Sequence, residues 1–409
     1  MKILFVITGN PWSESNGHNL KISQIINTFS KPFECDAVIF SKESNKDVKA
    51  SLNSKVNMSN IYVCKENAGF KLLLARFVCL TRSLPIFFAR YMTSLFKIKQ
   101  SLPLEIKDYD YIFIDNFSLA HFINNDSRFI ISTTDAISLT YKHASSESRS
   151  FFGALYRKWQ KHLVIHAEKK WLEMAKAVHV VGKLDEEYYK SNLINPRIIR
   201  IPQAIDNLVS KKGQDIKAIK KRTNRLERSN FGVFTITVSA RFDSDTALGT
   251  LENFLSTVYA DLVKTDTNIN LKILSGGNVK QVSKITNNYP NIIIKDWVDD
   301  FMMELCDTSI IALLDNFKMG VKTRTLYSLA SGVPVVATPQ SVYGIGIENL
   351  THALIQPIGP KFKDAIQRII NGQISTESMS GKAKEFISRE YSIKKLENRW
   401  IESLNNLYR

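Results

Sequence analysis

Apolar residues fall in short unbroken runs separated by stretches of helical spacing. Residues 3–8 (ILFVIT) make the first run, and a Gly/Pro/Ser/Asn-rich loop carries the chain to Gly17. Leu20, Ile22, Ile25, Ile26 and Phe29 then recur on one helical face, and a second run follows at 35–40 (CDAVIF). Strand, loop, helix and strand in that order predict a βαβ unit and a parallel sheet. Further runs at 111–115, 128–133, 177–181 and 198–202 extend it. They are apolar on both faces, as in strands covered by helices on either side. A polar, basic stretch at 207–232 interrupts the series and predicts a linker. A second series follows at 233–240, 271–276, 292–298, 309–314 and 333–338, with helices at 361–371 and 380–409. The expected fold class is α/β, with two doubly wound, Rossmann-like parallel-sheet domains at 1–206 and 233–385. A C-terminal helix, 386–409, is expected to pack back on the first domain. Substrates of such a pair bind in a cleft at the carboxyl ends of the strands.

Composition narrows the class. Of 409 residues, 44% are hydrophobic and 23% charged, enough for two ordinary cores. No run reaches the roughly 18 apolar residues of a membrane span. The opening MKILFVIT stops at Thr8-Gly9-Asn10-Pro11, short of a signal-peptide core and without a small-residue cleavage site, so a buried first strand in a cytoplasmic protein is expected. Cys35, Cys64, Cys79 and Cys306 are scattered outside any ligand spacing. His162 and His166 stand four apart on a predicted helix but lack a third ligand, so no metal is expected.

The net charge is +16 and unevenly placed. Residues 67–104 hold six basic and no acidic residues, 149–176 a net +5, and 208–228 a net +6. Such surfaces attract the phosphates of nucleotides, lipids or nucleic acids. No RRM, KH or helix-turn-helix signature accompanies the charge, so a nucleic-acid partner is not expected. Residues 70–99 mix bulky apolar residues with arginine and lysine. Arg76, Arg82, Pro85 and Arg90 break any span, leaving helices at an anionic membrane surface or helices completing the first domain.

The most informative segment is 309–338, SIIALLDNFKMGVKTRTLYSLASGVPVVAT. A buried strand ends near Asp315, and a short loop reaches Gly320. A helix then opens on Lys322, Thr323, Arg324 and Thr325 and closes at Gly332. Free N–H groups and the positive dipole end make such a helix start an anion site. Two basic residues there oppose the dipole unless an anion lies between them. Both reach one anion only if Lys322 is still in the loop; the other reading is a pair of solvated charges.

The segment resembles the donor-site motif of family-4 ("group 1") glycosyltransferases. Gly320, Lys322, Arg324, Ala330, Gly332, Pro334, Val335, Val336 and Thr338 stand in the matching places. Ser239-Ala240-Arg241 resembles the strand end whose arginine contacts the donor diphosphate. LSGG at 274–277 and DWVDD at 296–300 resemble the segments framing the base. The 15–21 loop resembles the glycine loop facing the phosphates, and 133–206 resembles the helix, strand and interdomain crossing of the group. The resemblance implies the GT-B fold and a nucleotide-sugar donor. Its implied donor-binding residues are Asn16, Gly17, Arg241, Gly277, Trp297, Val298, Gly320, Lys322, Thr323, Arg324, Thr325 and Tyr327. It implies retaining transfer, without metal or cofactor, to a saccharide acceptor. Family habit and the basic apolar segment make that acceptor lipid-linked and bacterial, and place the enzyme peripherally on the inner face of the cytoplasmic membrane. Asp135 and His18 are the catalytic candidates, Asp135 being alternatively a helix N-cap, and Glu168 is expected to be structural. Two departures stand out. Met319 and Tyr327 occupy the places of a glutamate pair, and the lysine usual after the diphosphate arginine is absent. They open an alternative, a non-catalytic GT-B-like protein that binds nucleotide sugar or glycan.

Overall fold

A computed structural model describes residues 1–12, 17–42, 58–92, 106–122, 128–144, 151–205, 233–318 and 320–408. The 207–232 linker, Asn16 and Met319 lie outside the described residues. The chain divides into two compact units, Met1–Ala204 with Leu396–Arg409, and Ile205–Lys395.

The first unit is built on a seven-stranded parallel sheet. Its strands are β1 (Lys2–Thr8), β2 (Glu34–Ser41), β3 (Asn60–Lys65), β4 (Tyr111–Ile114), β5 (Phe129–Ser132), β6 (Ala177–Val180) and β7 (Arg197–Arg200). Their order is β3-β2-β1-β4-β5-β6-β7. β1, β4 and β5 are buried almost end to end because helices cover both faces. The chain winds outward one way from β1 and the other way from β4, so the order reverses between these two strands. At such a switch point the loops part and leave a crevice for ligands.

The second unit repeats the plan with β8 (Phe234–Ser239), β9 (Ile269–Leu274), β10 (Ile292–Lys295), β11 (Ile310–Leu313), β12 (Val335–Ala337) and β13 (Leu354–Ile355). The order is β10-β9-β8-β11-β12-β13, again parallel, with the reversal between β8 and β11.

The helical stretch expected at 380–409 is two helices, Thr376–Glu390 and Ile393–Tyr408. Tyr391 sits at the break. Its hydroxyl donates to the Ile345 carbonyl at 3.0 Å, and its own carbonyl accepts from Ile205 N–H at 3.2 Å. The second helix joins the first unit through Trp400, which is buried against Phe29 (5.3 Å, edge-on), Phe113 (5.9 Å) and His179 (4.5 Å).

Candidate functional site

Two polar constellations occupy the two switch points. In the second unit a pocket of about 200 Å³ is lined by the ends of β8 and β11 and the start of the Thr323–Ala330 helix. It brings together Arg241, Lys322 and Arg324. Lys322 is the residue before the helix and has extended backbone (φ −76°, ψ 115°), so it and Arg324 approach one pocket rather than diverging. Its Nζ donates to the Phe317 carbonyl at 2.8 Å. Arg324 donates to the Asp315 carboxylate. That carboxylate also accepts from the Ser341 hydroxyl at 3.0 Å, while the Asp315 carbonyl accepts from Thr338 at 2.5 Å. Asp315 is thus a fixed anchor holding the Arg324 guanidinium at the pocket wall. Arg241 is mostly exposed and pairs at 3.0 Å with Asp243.

The other residues singled out from the sequence do not line this pocket. Gly276, Gly277 and Asn278 form a turn with three consecutive positive φ values (53°, 116° and 61°), and Gly277 N–H donates to Asp296 at 2.7 Å. A side chain at Gly277 would be strained by that backbone alone. Trp297 stands exposed and Val298 packs on the core. Gly320 has φ 64°, and Thr323 is the first helical residue. Thr325 is fully buried, so its hydroxyl is withdrawn from ligand. Tyr327 is half-buried with its ring 6.1 Å from Phe301.

In the first unit, Asp115 follows β4 and is completely buried. Its carboxylate takes His18 Nε2 at 3.0 Å and Lys21 Nζ at 3.8 Å, and accepts from the Thr8 hydroxyl at 3.3 Å. Gly17 opens the helix Gly17–Phe29 that carries His18 and Lys21. Lys21, also buried, donates to Ser132 at 2.9 Å. His179 Nδ1 lies 2.8 Å from the Ser132 hydroxyl, and its Nε2 lies 2.8 Å from the Ile201 carbonyl. The carbonyl can only accept, so Nε2 carries the proton and Nδ1 accepts from Ser132. His18, one quarter exposed, is the part of this network that meets solvent.

Asp135 lies in the loop between β5 and the Ile137–Ala144 helix. At the start of that helix, Glu168 accepts from Ile137 N–H at 2.9 Å, Ser138 N–H at 3.1 Å and the Tyr189 hydroxyl at 2.6 Å. Asp185 accepts from Ala136 N–H at 2.8 Å. Two buried acids therefore fix the loop that presents Asp135. Neither Asp115 nor Lys21 was singled out from the sequence; the one available signal was an aspartate closing the apolar run YIFID.

Burial and charge set the protonation states here. Burial pushes the Asp115 carboxyl up, but His18 and Lys21 outweigh it and hold it below the ordinary value. Burial lowers Lys21, with Asp115 and then Asp135 opposing. Burial takes His179 down to about 3 and His121 to about 4. Both rings stay neutral in the fold and gain a proton on unfolding once the pH is below about 6.5. The unfolded chain then binds more protons, so this contribution is complete above pH ~6.5 and lost as the pH falls, at up to ~1.4 kcal/mol per pH unit for each ring. Denaturant titrations between pH 7.5 and 5 are expected to show that loss, and His121→Phe to reduce the slope by one ring's share. Equal slopes would contradict it.

No family model matches the sequence, and no curated protein matches it significantly. Solved structures do match. Sucrose-phosphate synthase from Thermosynechococcus elongatus superposes with a TM-score of 0.67 at 12% identity, over 100% of this chain and 99% of that one. Anabaena HepE in complex with UDP gives 0.63 at 13%, over 99% and 100%. A glycosyltransferase from Rickettsia africae gives 0.60 at 12%, over 100% and 98%. At these identities the likeness is one of backbone architecture, and it spans the chain: two parallel-sheet Rossmann-like units in the GT-B glycosyltransferase fold.

Proposed function

We propose that this chain transfers a sugar from a nucleoside-diphosphate sugar to a saccharide acceptor. The observation that carries this reading is the convergence of Arg241, Lys322 and Arg324 on one pocket at the β8/β11 switch point. Three cations suit a diphosphate, which bears negative charge in the donor and gains more as it leaves. Fixed cations stabilise that developing charge without reorganising. The acceptor side is assigned to the first unit, where His18 and Asp135 offer a proton acceptor and a hydrogen-bonding carboxylate beside the β1/β4 switch point. Retaining transfer to a lipid-linked saccharide of a bacterial surface polymer, on the inner face of the cytoplasmic membrane, completes the reading. The reading includes no metal ion.

The test is a thermal-shift screen against UDP-, GDP-, ADP- and CMP-sugars, starting with UDP-glucose because HepE is known with it. A donor at 100 times its Kd is expected to stabilise the fold by about 2.7 kcal/mol. No shift with any of them would remove the reading. Proton NMR of the first-formed product then reads the anomer, α from an α-linked donor if configuration is retained. Tyr327 in the place of a glutamate supports a second reading, a binding protein without turnover. Stabilisation by a donor with neither transfer nor hydrolysis of it would favour that one.

A further inference from the structure

The helix Gly69–Thr81 has two apolar faces. One is the core face, where Ala75 and Cys79 are buried and Leu72 and Val78 pack beside them. The other consists of Phe70, Leu73, Leu74, Phe77 and Leu80, spaced to form one stripe, and it faces outward. Phe70 is 74% exposed, Leu73 61% and Phe77 64%. A helix docked on a soluble domain ordinarily turns polar residues outward, so this second stripe is not required by the fold.

A second exposed apolar group stands on the helix Phe151–Leu172, whose Gln160 accepts from Ile86 N–H at 3.2 Å, just beyond the first helix: Leu155, Tyr156 and Trp159 precede Gln160 and are exposed. The charges are of one sign. Lys71 and Arg76 flank the stripe on opposite sides at helical spacing, Arg157, Lys158 and Lys161 accompany the second group, and residues 67–92 contain no acid. The structure also sorts the residues of 70–99. Phe88 is buried in the core with Leu72 and Phe87 packed against it, and Arg90 reaches Glu66 at 3.8 Å. Phe96, Lys97 and Lys99 lie outside the described residues.

We propose that this face docks the protein on an anionic lipid bilayer, with Phe70, Leu73 and Phe77 entering the headgroup boundary and Lys71 and Arg76 meeting lipid phosphates. An apolar stripe bordered by cations matches the two layers of such a surface, apolar beneath and anionic above. A protein partner would need acidic residues around an apolar ridge of matching shape; a bilayer supplies both features without a specific shape. Among the described residues no helix is long and apolar enough to cross a membrane, so the attachment is peripheral.

Co-sedimentation of the full chain with phosphatidylglycerol and phosphatidylcholine vesicles, at low and high salt, tests this without nucleotide or transfer activity, so its outcome is separate from that of the donor site. Binding is expected to be about tenfold or more stronger on phosphatidylglycerol and to weaken with salt. Leu73→Ser with Phe77→Ser, and separately Lys71→Glu with Arg76→Glu, are expected to reduce it by about tenfold while leaving the melting temperature unchanged. Equal affinity for both vesicles, no binding, or variants that bind like the wild type would overturn the proposal. A dimer in light scattering that both variants dissolve, without vesicle binding, would assign the face to a second copy instead.

Discussion

Asp115→Ala is expected to destabilise the first unit by about 3–5 kcal/mol, the scale for removing one partner of a buried charge pair. The carboxylate is wholly inside, and two cations depend on it. Lys21 is 2% exposed and cannot turn to water. Without Asp115 it keeps only the Ser132 and Thr134 hydroxyls and the more distant charge of Asp135, so it must lose its proton or leave the core. His18 loses its anchor at the same time. Asp115→Asn separates stability from chemistry, because it keeps the shape and can still accept from Thr8. If His18 takes the acceptor proton, Asp115 orients the ring that receives it. Loss of that carboxylate is then expected to lower kcat by about 10²–10⁴ with donor affinity unchanged. Urea unfolding of the alanine variant, and kcat with donor affinity of the asparagine variant, are the measurements. An alanine variant within 1 kcal/mol of wild type would mean that Lys21 is neutral and the network weakly coupled.

Legibility in the sequence followed polarity. β1, β4, β5 and β11 are buried on both faces, so their residues form apolar runs that stand out in the chain. β3 lies at the sheet edge, and Ile61, Tyr62, Val63 and Cys64 are only partly buried between exposed Asn60 and Lys65, so its pattern is mixed. β13 is two residues long and has no period to detect. The pocket cations Lys322 and Arg324 were legible because they oppose the dipole of a predicted helix. The counter-ion of Arg324 was not, because the pairing with Asp315 is made by the turn between β11 and that helix. Asp115 and His18 come from opposite ends of a long stretch of chain and meet only because β1 and β4 are neighbours. No local pattern records that adjacency. A lysine in an amphipathic helix ordinarily marks its solvent side, and Lys21 breaks that rule through a buried aspartate supplied by another strand.

Arg241 and Arg324 are expected to answer differently to the same substitution, and the difference tests the proposed donor role of their pocket. Arg241 is 73% exposed and its partner Asp243 is 59% exposed. A pair so placed adds little stability, so Arg241→Ala is expected to leave the melting temperature within error. A lost charge-assisted contact with a donor phosphate costs about 1.5–3 kcal/mol of binding. Arg324 is anchored to an aspartate that is only 9% exposed. Arg324→Ala therefore removes the phosphate contact and leaves the Asp315 carboxylate with Ser341 alone, so both donor affinity and stability should fall. Asp315→Asn separates the two effects. It frees the guanidinium, relieves the stranded charge in the double variant Asp315→Asn/Arg324→Ala, and so should restore melting temperature without restoring binding. Lys322→Ala should weaken binding like Arg241→Ala, because Lys322 lines the same pocket, where its Nζ donates to the Phe317 carbonyl at 2.8 Å. Isothermal titration with the responding nucleotide, beside melting curves of each variant, gives both quantities. Wild-type affinity in the Arg241 and Arg324 variants alike would show that the pocket cations serve the fold and that the phosphates bind elsewhere. Lowered affinity in both, with instability confined to Arg324→Ala, follows only if the diphosphate lies between an exposed arginine and one held in place by Asp315.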